Sequence, residues 1–360
     1  MRKAATIIIT ALLAILPAAA QKEASRPAEI HVESNTGHVQ GIAWDADAGL
    51  MYLSFTTRFI VTAPDGTVLG SIDRIPGHLG AMTFDCATRK VYASLECKDD
   101  EIGAAIADRL GMERYGSSSF YIAEIDVDAV RGADVPMEET MKLHEVTPAI
   151  EDYAAEVEVD GSTLKHRYGC SGIDGVTVGP APGKAKGRCL YVAYGIYGDT
   201  DRTDNDYQVI LQYSLSDLGK TPKKLFVKTG NTRYGVQNLA YDPHSGLLFL
   251  AVYKGSKPQY PNYDLFAVDL SAGVSKSRLD GIPYQKGKAP TLKLAREGWH
   301  FKYGSTGLCP LGDGYWYISE PSTAKSQDGS KTNVCDARLY VISPDGPEPF
   351  VRLVPGTPMD

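Results

Sequence analysis

One element occurs five times in this chain. HVQGIAWD (38–45), HLGAMTFD (78–85), GIDGVTVG (172–179), YGVQNLAYD (234–242) and YGSTGLC (303–309) each set a polar, glycine-containing lead-in before a short apolar strand. Three further β-rich runs follow each copy. Behind the first come LMYLSF (50–55), FIVTAPD (59–65) and TVLGSI (67–72); behind the second, KVYASLE (90–96), SFYIAEID (119–126) and MKLHEV (141–146). The third unit continues through CLYVAYG, QVILQYSL and KKLFVKT, the fourth through LLFLAVY, DLFAVDL and TLKLARE (291–297), and the fifth through GYWYISE, RLYVISPDG and PFVRLV. Turns such as DG, PDG, SG and GDG separate the runs. Four strands per repeat, at a spacing of about 40 to 70 residues, predict an all-β fold: a single β-propeller of five four-stranded blades. The count becomes six if EVEVDGSTLKHR (156–167), read as an inserted hairpin about Asp160-Gly161, belongs to a blade of its own. Residues 29–33 (EIHVE) are expected to join the last blade and latch the ring.

In such a ring the first strand of each blade lines the axis. The connections into it and the second-to-third-strand loops share one face. Those loops are long here: 97–118, 196–207, 254–263 and 321–337. Long loops with polar and aromatic content point to a working surface. The lead-ins bring His38, Gln40, His78, Asp174, Tyr234, Gln237, Asn238, Tyr303 and Thr306 to that mouth, and the second strands add Arg58, Glu96, Lys98, Tyr194, Tyr253, Lys254 and Glu320. Any one of these is more simply read as satisfying a strand end, but together they describe a ligand pocket.

The chemistry concentrates in four residues. His38 and His78 occupy matching positions in adjacent units, and Glu96 ends a strand beside the lead-in of Asp174. The set suits acid–base catalysis or metal binding, or a solvated ion pair of Glu96 with Lys98 or Arg58. GDTDRTDNDY (198–207) lacks the glycine and terminal glutamate of a helix–loop–helix calcium site, so it reads as a solvated loop, with loose calcium binding as the second reading. KGSKPQYPNY (254–263) offers tyrosines for stacking and Lys254 and Lys257 for an anion. No serine-hydrolase, phosphate-loop or dinucleotide signature is present.

Residues 1–20 carry Arg2 and Lys3, an apolar stretch and an Ala-Ala-Ala cleavage site, the pattern of a secretory signal peptide. The mature chain, 21–360, is expected in the periplasm or outside the cell. In that compartment the six cysteines permit disulfides, for which Cys97–Cys170, Cys86–Cys189 and Cys309–Cys335 are the pairs that the blade order brings near each other. A net charge of −7 without a basic run excludes nucleic acid as a partner, and a small molecule or glycan is the expected one, on a monomer without membrane insertion.

QGIAWD (40–45), DGVTVG (174–179) and QNLAYDPHSGLLFLAVY (237–253) resemble the inner-strand motifs of the SMP-30, gluconolactonase and NHL-type propellers. The resemblance implies lactone or ester hydrolysis at a divalent metal such as calcium. By position, Gln40 stands where that family has a metal-binding glutamate, Asp174 matches a ligand position, and Asn238 or Gln237 matches an asparagine ligand. The expected function is therefore an exported propeller that binds a small polar ligand and hydrolyses a lactone, ester or glycoside. The alternatives are a non-catalytic glycan- or small-ligand-binding propeller and a scaffold for protein partners.

Overall fold

The structure is a computed structural model that describes residues 26–184, 187–325 and 329–354; the expected signal peptide lies outside them. Five mainly antiparallel sheets surround one axis. Blade one is β2 (Val39–Asp45), β3 (Leu50–Phe55), β4 (Arg58–Thr62) and β5 (Val68–Ile72). Blade two is β6 (His78–Asp85), β7 (Lys90–Cys97), β8 (Ser119–Asp126) and β9 (Met141–Glu145). The expected hairpin follows as β10 (Glu156–Val159) and β11 (Ser162–Lys165), turning at Asp160 and Gly161, both with positive φ. Blade three is β12 (Cys170–Pro180), β13 (Arg188–Ile196), β14 (Tyr207–Ser214) and β15 (Lys223–Lys228); blade four is β16 (Thr232–Asp242), β17 (Leu247–Lys254) and β18 (Leu265–Asp269). β19 (Ser275–Ser277) and β20 (Ala289–Thr291) extend the sheet of blade three. Blade five is β21 (Leu308–Pro310), β22 (Tyr315–Lys325) and β23 (Lys331–Ile342), with β24 (Phe350–Arg352) beside β23.

The ring closes by exchange of ends. β1 (Glu29–Ser34) pairs with β23 over six residues, so the start of the chain supplies the outer strand of the last blade. Each sheet buries both faces, because alternate side chains of a strand point opposite ways. Tyr92 of β7 packs toward blade three, while Val91, Ala93 and Leu95 pack toward blade one. Ile30 and Val32 of the latch enter the core between blades five and one. At the turn after the inner strand, Asp45, Asp85 and Asp242 cap the backbone N–H groups two or three residues on, which explains why three copies of the repeat end in Asp.

Three expectations are corrected. TLKLARE is not the outer strand of blade four. Thr291 pairs with Phe226 of blade three, Leu292 is buried between the two blades, and only then do Leu294 and Trp299 bridge to β18. Residues 321–337 are not a loop, since β22 and β23 continue pairing out to Lys325 and Lys331. The cysteines are all free thiols. Their sulfurs face other groups: Cys97 donates to the Pro76 carbonyl at 3.2 Å, Cys170 faces the Ala149 carbonyl at 3.7 Å, and Cys189 accepts from Gln212 at 3.1 Å.

The acidic loop 198–207 is also not a solvated one. Asp204 and Asn205 are fully buried, and Arg202 holds Asp204 through two hydrogen bonds of 2.8 and 2.9 Å. Lys257, 3% exposed, donates to Asn205 Oδ1 at 2.9 Å, Asp206 Oδ1 at 2.7 Å and the Arg202 carbonyl. An ammonium thus sits where a calcium ion was the second reading, and Lys257 is not available to an anionic ligand.

Two outcomes test these assignments. Unfolding without reductant should release six reactive thiols, with Cys86 alone, the exposed one, reacting rapidly in the native protein; fewer titratable thiols in the unfolded chain would restore a disulfide. Lys257→Ala leaves the half-buried Asp206 carboxylate and the buried Asn205 oxygen without their ammonium and should cost about 3–5 kcal/mol in chemical denaturation, whereas a loss below about 1 kcal/mol would return the loop to the surface.

Candidate functional site

The site begins with two residues on facing strands. His78, the first residue of β6, lies opposite Glu96 near the end of β7. Directly opposed residues share one face of a sheet, and His78 Nδ1 stands 3.8 Å from Glu96 Oε2. Glu96 then reaches across to the next blade, where its Oε1 accepts the backbone N–H of Ile173 at 2.8 Å. Residue 172 must be glycine for this: its φ is +132°, and a Cβ there would stand 1.8 Å from Glu96 Oε1. β12 bulges on either side of this stretch, before Gly172 and after Ile173, which aims Asp174 into the same space. One ligand atom each from His78, Glu96 and Asp174 fall within 4.8 Å of one another. Gln237 of blade four completes this wall, donating to Asp174 Oδ2 and to the Tyr234 carbonyl, both at 2.9 Å.

Lys98 enters from beneath. It is buried, donates to the Ser171 carbonyl at 3.0 Å, and lies 3.6 Å from Glu96 Oε2 and 3.3 Å from Asp100 Oδ2. The ion pair with Glu96 was one sequence reading, but as a solvated pair. Asp100 was missed. Its signal was available: an Asp directly before the helical run Glu101–Leu110 is an N-cap, and here its Oδ1 accepts the Gly103 N–H at 2.9 Å.

Burial sets the protonation of this group. It holds Glu96 above the usual carboxylate range, against the pull of Lys98 and the Ile173 N–H. It raises Asp174 further, with the charge of Glu96 adding to the effect and Lys98 and Gln237 opposing it. It pushes His78 down to about 4, helped by the positive charge of Lys98 and of a protonated His38. Burial also works against the Lys98 ammonium, but Glu96, Asp100 and Asp174 outweigh it and keep the charge in place. The outcome is a neutral imidazole, a firm ammonium and carboxylates that retain protons easily. His78 Nδ1 is buried with no hydrogen-bond partner.

The other expected site residues divide. His38 sits at the rim, with its Nε2 2.9 Å from Gln40 Nε2, so the ring accepts there and carries its proton on Nδ1. Tyr234, Tyr253 and Lys254 are exposed around the same mouth. Asn238 is a strut, its amide donating to the Gln40 carbonyl at 3.0 Å and the Ser305 carbonyl at 2.9 Å, which ties blade four to blades one and five. Thr306 is buried against Ser319, and Tyr303 packs on Phe301 beneath Lys302. Three belong elsewhere. Arg58 is paired with Asp73 on its own blade. Tyr194 is in the core, its hydroxyl on the Pro148 carbonyl and Asp152 Oδ2. Glu320 holds Tyr340 at 2.6 Å and faces Arg352. The far end of the axis opens into a cavity of about 400 Å³ where inner strands of all five blades end, lined among others by Trp44, Phe84, Thr177, Tyr241 and Leu311.

No protein-family model matches the chain, and no curated protein matches its sequence. Solved structures do align with it. A periplasmic gluconolactonase of Pseudomonas aeruginosa is 10% identical, over 89% of this chain and 72% of that one, with a TM-score of 0.34. A gluconolactonase from Xanthomonas campestris is 12% identical, over 85% and 88%, at 0.33. A β-propeller domain from Myceliophteria thermophila is 9% identical, over 82% of each chain, at 0.34. Likeness at this level assigns no chemistry; the propeller is established by the strand pairing itself.

The protonation pattern is testable by pH. The unfolded chain protonates His78 below its ordinary value of 6.5, whereas the folded chain does so only near 4. Acidification through that window therefore favours unfolding at this residue. In an NMR titration of metal-free protein, the His78 ring signals should show no inflection between about pH 7 and 5. His31 should titrate above 6.5, because its hydrogen bond to Asp336 raises it. An inflection of His78 near 6.5 would mean that its ring is solvated.

Proposed function

We propose that the channel mouth is the active site of an exported hydrolase that opens a lactone or ester of a small polar compound, with His78, Glu96 and Asp174 holding a divalent cation. One observation carries this reading: one ligand atom from each of the three side chains lies within 4.8 Å of the others, and His78 Nδ1, which faces Glu96, is buried without a partner. The charge balance fits as well. Glu96, Asp174 and Asp100 against Lys98 leave two negative charges when all are ionised, which a divalent ion offsets. One imidazole beside two carboxylates suits zinc or manganese better than the calcium that the family resemblance implies. Asn238 has no place in this set, because its amide is spent between blades.

Such an ion, when bound, polarises a carbonyl and acidifies water. The chain supplies the rest. The Ile173 N–H fixes one oxygen of Glu96 and so aims the other at the cluster. Gln237 does the same for Asp174, leaving its second oxygen for the cluster. Lys98 is placed to keep Glu96 ionised. His38, with its proton on Nδ1, is a donor at the rim.

The test uses metal-stripped protein. Zinc or manganese at a hundredfold excess over its dissociation constant should stabilise it by about 2.7 kcal/mol. The loaded protein should hydrolyse glucono-1,5-lactone or a small aryl ester, and Glu96→Gln or Asp174→Asn should reduce that rate about a hundredfold or more. Sugar binding without turnover would favour the non-catalytic propeller, and no response to any metal would end the metal-dependent reading.

A further inference from the structure

The lead-in of blade four is strained at a residue beside the site. Tyr234 adopts φ +63°, the left-handed region that an aromatic residue rarely enters, yet its ring is 53% exposed. The twist turns its carbonyl to receive Gln237, the same amide that holds Asp174 Oδ2. Ring placement and carboxylate placement are thus set by one side chain. The Tyr234 ring meets Tyr253 edge to face, with centroids 6.1 Å apart at 87°, and Tyr253 is itself exposed.

Arg233 lies beside this pair. It is opposite Tyr253 in the register of β16 and β17, so the two side chains share a face. It is exposed and, among the described residues, has no ion-pair or hydrogen-bond partner. The backbone of Arg233 packs against Gly198, at the start of the acidic loop. Even so, no carboxylate there reaches its guanidinium; Asp199 turns its Oδ1 to the Asp201 N–H at 2.9 Å instead. Nearby cations are spent, Arg202 on Asp204 and Lys257 on Asp206. Among the described residues Lys254 is likewise uncommitted, but it is Arg233, with its guanidinium fork, that lies opposite Tyr253 and adjoins the two exposed rings and, through Gln237, the half-buried Asp174 carboxylate.

We propose that Arg233, Tyr234 and Tyr253 form a subsite for the anionic end of a ring-shaped substrate. The guanidinium takes a carboxylate, the ring of the substrate lies on Tyr234, and the ester or lactone bond faces Asp174 and Glu96. This rests on the hydrolase reading and narrows its substrate to a carboxylate-bearing lactone or cyclic ester. A guanidinium fork matches a carboxylate in two parallel hydrogen bonds, and a tyrosine face accepts the C–H face of a saturated ring.

The experiment compares glucaro-1,4-lactone, which carries a carboxylate, with neutral glucono-1,5-lactone, on metal-loaded protein at low salt. Calorimetric affinity and kcat/KM are both read as the ratio of charged to neutral ligand. Wild type should favour the charged lactone about tenfold or more, a preference that falls as salt rises. Arg233→Ala should abolish the ratio, Arg233→Lys should keep part of it, and Lys276→Ala, an exposed lysine on blade three, should leave it unchanged. Equal affinity for the two ligands, or a preference that survives Arg233→Ala, overturns the proposal. Binding with the expected ratio but no turnover of either lactone leaves the subsite standing and defeats the hydrolase reading instead.

Discussion

Crowding at the axis governs this molecule. Five sheets meet there edge-on, and their innermost strands come so close that side chains no longer fit everywhere. A Cβ on Gly41 would stand 2.9 Å from the Met82 backbone nitrogen, and one on Gly175 would stand 3.0 Å from that of Leu239. The strands that tolerate this approach begin with bulges, and bulges leave backbone donors and acceptors unpaired. Side chains from other blades then satisfy them. The Ser54 hydroxyl donates to the Gly80 carbonyl at 2.7 Å, Asn238 bonds the carbonyls of Gln40 and Ser305, and Glu96 takes the Ile173 N–H. The polar ring at the mouth is therefore first a means of closing the propeller. Chemistry is available only where that work leaves an atom unspent.

This distinction explains what was legible in the sequence. Glycine and polar lead-ins recur because close packing imposes them on every blade, so the repeat exposed the fold, the latch strand and the inserted hairpin. The meeting of His78, Glu96 and Asp174 also followed from strand order, since the end of a second strand adjoins the start of the next blade. What failed depends on where a side chain turns. Tyr194 and Glu320 lie on the strands that were read as mouth residues, but β13 directs the Tyr194 ring into the core and β22 runs on well past Glu320. Asn238 sits at a ligand-like position yet is consumed by two carbonyls. Cysteine number says nothing about sulfur direction, and here the sulfurs face carbonyls and amides instead of each other.

The acidic loop shows the same limit at longer range. Its burial depends on Lys257, which meets Asn205 52 positions earlier in the chain, and on Arg202 folding back onto Asp204. No local pattern separates that loop from a solvated one, because the charge that neutralises it arrives from another blade. Composition alone would call both acidic regions of this protein alike.

They are not alike, and the difference lies in completeness. Around Lys257 each of the buried charges is answered: three acceptors take its protons, Tyr260 donates to the other oxygen of Asp206 at 2.7 Å, and Tyr284 donates to Asp204 at 2.8 Å. A network in that condition rigidifies the protein and leaves nothing for a ligand to gain. Around Lys98 the balance stays open. Its protons reach Ser171, Glu96 and Asp100, but Asp174 draws on a single amide and His78 Nδ1 on nothing. Burying an unanswered nitrogen beside two crowded carboxylates costs stability that a purely structural cluster has no reason to give up. A cation there would satisfy the nitrogen and, by offsetting the mutual repulsion of ionised Glu96 and Asp174, favour loss of the protons that burial makes them retain. The incomplete network, rather than the acidic one, is where binding energy is available.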